Sequence, residues 1–191
     1  IQSISQLKNQ LESDLEQELK SVGLLTAMQL DAKDVEKVFD ARGESDPDFV
    51  KVQNQLDHIL EQQGIMFWSY IWKMEDGGVN TVGYTNNLNE VYEVGELFTD
   101  IAPEHMTAAE QAIENGKPAV TSIFEDTFGS WRTVFSPIQD QKGNTIALLG
   151  IDYSADYIEA IIQKSITKQI VIAVIGLVIL FAVLFFTIIR L

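Results

Sequence analysis

Few residues of this chain have the types and spacing that chemistry needs, and they gather between Trp68 and Asp152. Arg132 is the one basic residue between Lys117 and Lys142. In a strand, successive side chains point to opposite faces, so Arg132, Val134 and Ser136 share one face and Trp131, Thr133 and Phe135 the other. A guanidinium on a sheet face needs a carboxylate partner or an anionic ligand. Glu125 and Asp126 are the nearby acids that would pair with it. Asp152 closes the apolar run "ALLGI" and could cap a following helix or hold a ligand amine, while Ser154 competes for the cap. Trp68, Tyr70 and Trp72 alternate onto one face of an aromatic stretch. Aromatic walls with a few polar groups make small-molecule pockets, and the alternative is packing against flanking helices. Tyr70 and Tyr84 add hydroxyls. The candidate ligand-binding residues are therefore Tyr70, Trp72, Tyr84, Asp126, Trp131, Arg132 and Asp152.

Other chemistries find little support. The chain has no cysteine, so thiolate metal sites, disulfides and cysteine nucleophiles are excluded. His58 and His105 stand far apart, without metal-ligand spacing. Glu90, Glu93, Glu96, Asp100 and Glu104 crowd one loop, but not as the spaced Asp/Asn/Gly loop that binds calcium, and read as a solvated face. No Ser/His/Asp arrangement or phosphate-binding glycine loop occurs, so neither an enzyme nor a cofactor is expected. With Lys164, Lys168 and Arg190 set aside, the remaining 10 basic and 28 acidic residues leave residues 1–163 at −18. Such a surface repels nucleic acid and anionic lipid.

The elements that must position these residues follow from pattern. Ile4, Leu7, Leu11, Leu15, Leu19 and Val22 recur at steps of three and four, which predicts a long amphipathic helix over the first thirty residues. It opens with no cap. Either it continues upstream, as from a preceding membrane span, or it is an ordinary helix with a frayed start. A short helix is expected around Lys33–Phe39. Asp46 as N-cap and Pro47 as first residue predict a third helix, ending near Gly64. "IMFWSYIWKM" then predicts a strand, followed by the turn "EDGG" and a strand at Val79–Thr85. A polar loop runs from Asn86 to Pro103, and a helix over Glu104–Asn115 stops at Gly116. Further strands are expected at Ala119–Phe124, Ser130–Ile138 and Thr145–Tyr153, the last two joined by the turn "QDQKGN". The sum is α+β: a long N-terminal helix with a five-stranded, mostly antiparallel sheet.

The chain closes differently. Ile170 to Ile189 is twenty residues without a charge. About 20 helical residues cross a hydrocarbon core, and a single span must be a helix to satisfy its own backbone. No comparable apolar stretch exists to bury it. From Ala155 a helix is expected to run into this span, uninterrupted by Pro or Gly as far as Ile175. The division expected is a helical region at 1–63, a sheet region at 64–158, and a linker and membrane helix at 159–191 spanning about 170–189.

"VFSPIQDQKGNTIALLGIDYSADYI" resembles the end of an extracytoplasmic Cache domain, the PAS-like sensor of bacterial membrane receptors. "DTFGSW" and "DPDFVKVQNQLDHI" fit the same layout. The resemblance covers residues 1–170 in order of elements, is specific in the second half, and looks most like the sensors of methyl-accepting chemotaxis proteins. It implies a small-molecule ligand, a homodimer through the N-terminal and membrane helices, and residues 1–163 outside the cell membrane. It also implies a cytoplasmic output module after Leu191: a chemotaxis domain, a histidine kinase or a diguanylate cyclase. Amino-acid-binding members carry Arg-x-x-Trp-Tyr before an aspartate of the last strand. Asp152 matches the aspartate, but the Arg-x-x-Trp-Tyr pattern is absent. The rival reading is a membrane-anchored protein-binding scaffold.

Charge does not orient the span, because Lys164 and Lys168 on one flank face Arg190 on the other. The resemblance does. Green fluorescent protein fused after residue 191 should fluoresce and alkaline phosphatase fused there should be inactive. The reverse pair of results inverts the topology.

Overall fold

The computed structural model describes residues 4–41, 43–64, 67–88 and 94–190. The expected strand start at Ile65 and Met66, and Glu90 and Glu93 of the acidic loop, lie outside these. The chain divides into two compact units, one of Glu16–Ala155 and one joining Ile1–Leu15 with Asp156–Leu191.

Helix α1 (Ile4–Gln29) crosses that division, α2 is Ala32–Val38 and α3 is Pro47–Gln62. Local sequence sets where the helices start. The Asp31 and Asp46 carboxylates accept hydrogen bonds from the N–H groups of Lys33 and Asp48, each at 2.9 Å, satisfying donors the helix leaves open. Seven strands follow rather than the expected five: β1 Trp68–Glu75, β2 Gly78–Tyr84, β3 Leu97–Phe98, β4 Ala119–Val120, β5 Phe124–Asp126, β6 Gly129–Gln139 and β7 Thr145–Ser154. Between β3 and β4 runs α4 (Pro103–Asn115), ended by Gly116 at φ +59°. Two features account for the count. The two-residue β3 pairs Val79 and Asn80 of β2. The single strand expected at Ala119–Phe124 is two, because the chain leaves the ladder where Thr121 turns its side chain to accept the Thr133 N–H at 2.9 Å.

One sheet forms in the order β3-β2-β1-β7-β6-β4, with β5 also on β6, and every pairing is antiparallel. The long central strands β6 and β7 bring Thr133 opposite Asp152 and Arg132 opposite Tyr153. Helices cover the sheet on both faces. On one face α1 comes so close that a Cβ on Gly23 would stand 2.4 Å from Ser136 Oγ and 3.2 Å from the Val134 methyls. There α3 also packs, and a Cβ on Gly83 would stand 3.3 Å from Val52 Cγ1. On the other face lies α4, whose His105 ring meets Phe124, Phe135 and Trp72 edge-on, at 4.3, 5.5 and 5.6 Å between centroids. Between the layers Val35, Phe49, Leu56, Ile71, Phe135, Leu148 and Ile151 are fully buried.

In the other unit, α5 (Ala155–Ile189) carries the apolar stretch and is long and apolar enough to cross a bilayer. Its hydroxyl at Thr187 donates to the Val183 carbonyl at 2.7 Å, which suits a polar group in lipid.

Gly150 gives the fold a sharp test. A Cβ there would lie 2.4 Å from Tyr70 Cε2 and 2.7 Å from Cζ, inside the ring's van der Waals surface. Replacing a strand glycine by alanine ordinarily helps. Here overpacking wins, and Gly150→Ala should lower unfolding free energy by about 1–3 kcal/mol in urea melts. A neutral or stabilising effect would show that the Tyr70 ring does not lie over Gly150.

Candidate functional site: an aromatic cleft closed by Asp152

Tyr70 and Trp72 point from β1 to the α4 face, where their rings lie 4.8 Å apart. Phe135 of β6 stacks on Trp72 at 5.2 Å. Toward the end of β1 the Trp68 indole stacks on Trp131 at 4.9 Å and meets Phe128 edge-on. Trp68, Trp72, Phe128 and Trp131 wall a cleft of about 470 Å³ lined also by Leu88, Phe98, Asp100, the start of α4 from Ile101 to Pro103, His105, Asp126 and Asp152. All three tryptophans of the chain line it.

Asp152 is the polar centre, only 8% exposed. Its Oδ1 accepts from Tyr70 OH at 3.0 Å and from Thr133 Oγ1 at 2.6 Å. Each hydroxyl has one proton, and both are used there. The His105 Nε2 that sits 2.8 Å from Thr133 Oγ1 must then be the donor, with its proton on Nε2. The chain of donors runs from His105 through Thr133 to Asp152, with Tyr70 as a second arm. No Lys or Arg reaches this carboxylate among the described residues; the nearest basic atom is His105 Nε2 at 3.9 Å. An almost buried carboxylate with two hydroxyl donors and no lysine or arginine partner is costly to hold unless something further compensates it.

Asp126 acts differently. Its Oδ1 accepts from the N–H groups of Phe128 and Gly129 and from the Trp131 indole N–H, at 2.8, 3.0 and 3.1 Å. It fixes the turn that presents Phe128 and the orientation of Trp131. Of the seven sequence candidates, Trp72, Asp126, Trp131 and Asp152 line the cleft, and Tyr70 stands behind Asp152. Arg132 and Tyr84 are not at the cleft. Arg132 lies on the α1 face, where its Nη2 donates to Glu16 at 3.0 Å and its Nε to the Thr121 carbonyl at 3.2 Å. The partner is Glu16, not Glu125 or Asp126. Tyr84 packs edge-on against Phe49 and donates to Glu44. Burial first, then the Glu44 carboxylate, push its hydroxyl well above the usual tyrosine range. His105, Phe128 and Phe98 belong to the site and were not among the sequence candidates; His105 had been weighed only as a metal ligand.

No protein-family model matches the chain. A "probable methyl-accepting chemotaxis protein" of Bacillus thuringiensis is 29% identical over 124 residues, which is 62% of this chain and 21% of that protein. Among solved structures, the ligand-binding domain of the Campylobacter jejuni chemoreceptor Tlp3, in complex with 4-methylisoleucine, aligns with a TM-score of 0.50. Identity there is 16%, over 78% of this chain and 56% of that one. The chain shares the fold of that ligand-binding domain. The sensor domain of DcuS from E. coli also aligns, at a TM-score of 0.48 and 15% identity over 84% of this chain and 98% of that one.

Thr133→Val should strand both Asp152 and His105 and cost about 1–3 kcal/mol in denaturant unfolding, with Thr133→Ser restoring most of it. Equal losses for Val and Ser would make packing, not the hydroxyl, the reason for Thr133.

Proposed function

We propose that the chain is the small-molecule-sensing and membrane-spanning part of a bacterial receptor, with the cleft over Asp152 as its ligand site. The observation that carries this is the almost buried Asp152 carboxylate, facing a cleft walled by aromatic rings, with no lysine or arginine on it among the described residues. A scaffold would have no use for a partly compensated acid in an open cleft. Chain connectivity supplies a route for the signal. Asp152 belongs to β7, which ends at Ser154, and α5 begins at Ala155 and continues through the apolar stretch.

A ligand on Asp152 competes for, or adds to, the hydrogen bonds from Tyr70 of β1 and Thr133 of β6. It favours whichever arrangement of the last strand it binds more tightly. In this reading residues 1–163 lie outside the cell and the output within, in a receptor that pairs through its N-terminal and membrane helices. The sequence match favours a chemotaxis output over a kinase or a cyclase. Because that match covers about a fifth of the relative, the output belongs to the proposal.

The test joins the whole chain to the signalling region of the Bacillus relative, in cells without receptors of their own. A compound that stabilises the purified chain should evoke a response through the wild-type chimera and none through a stably expressed Asp152→Asn. A full response from Asp152→Asn would remove the cleft from the signalling path.

A further inference from the structure

The lining of the cleft limits what it can hold. Resting on the reading of the cleft as the ligand site, we infer that its ligand is a small organic cation, an amine or quaternary ammonium, without a carboxylate of its own. Among the described residues three carboxylates line the cleft, those of Asp100, Asp126 and Asp152, and no lysine or arginine does. Arg132, the guanidinium nearest in sequence, is on the opposite sheet face and is neutralised by Glu16. A ligand carboxylate would find no fork to receive it.

The α4 N-terminus argues the other way, since it abuts the cleft and its N-cap, Ala102, has no side-chain cap. Magnitude decides. A helix end carries about half a positive charge, against three full negative ones. The site's net field attracts cations. The walls suit one too. Trp68 and Trp131, with Phe98 and Phe128, bring aromatic surface to the cleft for an ammonium, an attraction that strengthens as water is excluded, while Trp72 at 1% exposure is covered by Tyr70 and Phe135. Such a ligand supplies the full positive charge that no lysine or arginine among the described residues brings to Asp152, while Tyr70 and Thr133 keep its Oδ1 in place. At −18, the first 163 residues also concentrate cations at the surface.

Matched probes isolate the carboxylate: choline against glycine betaine, and phenethylamine against phenylalanine. The readout is tryptophan fluorescence of the whole chain in lipid nanodiscs, which reports from the cleft because all three tryptophans line it. At least one cation should perturb the emission saturably and bind ten times more tightly, or better, than its carboxylate-bearing partner, about 1.4 kcal/mol. Asp152→Asn should weaken that binding at least tenfold, and Arg132→Ala should leave it unchanged. A zwitterion that binds as tightly as its cation overturns the inference but leaves the cleft as a ligand site. Failure of both cations to perturb the tryptophans at millimolar concentration also overturns it, and the chimera experiment then judges the site on its own.

Discussion

The structure depends on one carboxylate. Asp152 stands at the end of a central strand, nearly out of water, with no lysine or arginine against it among the described residues and His105 Nε2 3.9 Å away. Burying an ionised group is tolerated only when donors surround it, and here they come from three elements: Tyr70 of β1, Thr133 of β6, and His105 of α4 through Thr133. Each contribution places a demand on its own strand or helix. The Tyr70 ring can reach Asp152 only because position 150 has no side chain beneath it. With the Thr133 proton given to Asp152, the contact from His105 Nε2 to Thr133 Oγ1 needs the imidazole as donor. The register of β6 on β7 must bring Thr133 opposite Asp152 and nothing else.

The opposite face is closed, and that keeps the site one-sided. There α1 lies tight on β6 at Gly23, and Arg132 is bound by Glu16 and the Thr121 carbonyl. A guanidinium is costly to bury unpaired and satisfied once paired, so it serves as a clamp between helix and sheet. Had β6 been read one residue out of register, Arg132 would have faced the cleft and the charge of the site would have been different.

How much of this was legible in the sequence depends on range. Period-two alternation separates Trp131 and Thr133 from Arg132, and the sheet keeps that separation. Asp46 before Pro47 and Gly116 after Asn115 mark helix ends because capping is decided within four residues. The partner of Arg132 was not legible, because Glu16 is 116 residues away and only the packing of α1 joins them. Nor was the place of His105, 28 residues before Thr133 on a helix whose docking no local pattern records. Two-residue strands such as β3 carry too few side chains to show a period. Tyr84 looked like a pocket residue for its hydroxyl, but its ring packs against α3 at Phe49. Asp126 and Trp131 were chosen as ligand contacts one by one. That the acid holds the indole by its N–H could not be read from their five-residue spacing.

The direct test of the central claim is to label the chain with 5-fluorotryptophan and follow the fluorine resonances as a stabilising compound is added. There are three tryptophans, and Trp68, Trp72 and Trp131 all line the cleft. If the ligand sits over Asp152, the three resonances shift in wild type with one shared binding curve and stay still in Asp152→Asn. A compound that raises the melting temperature while leaving all three resonances in place binds somewhere else, and Asp152 is then not the chain's contact with it.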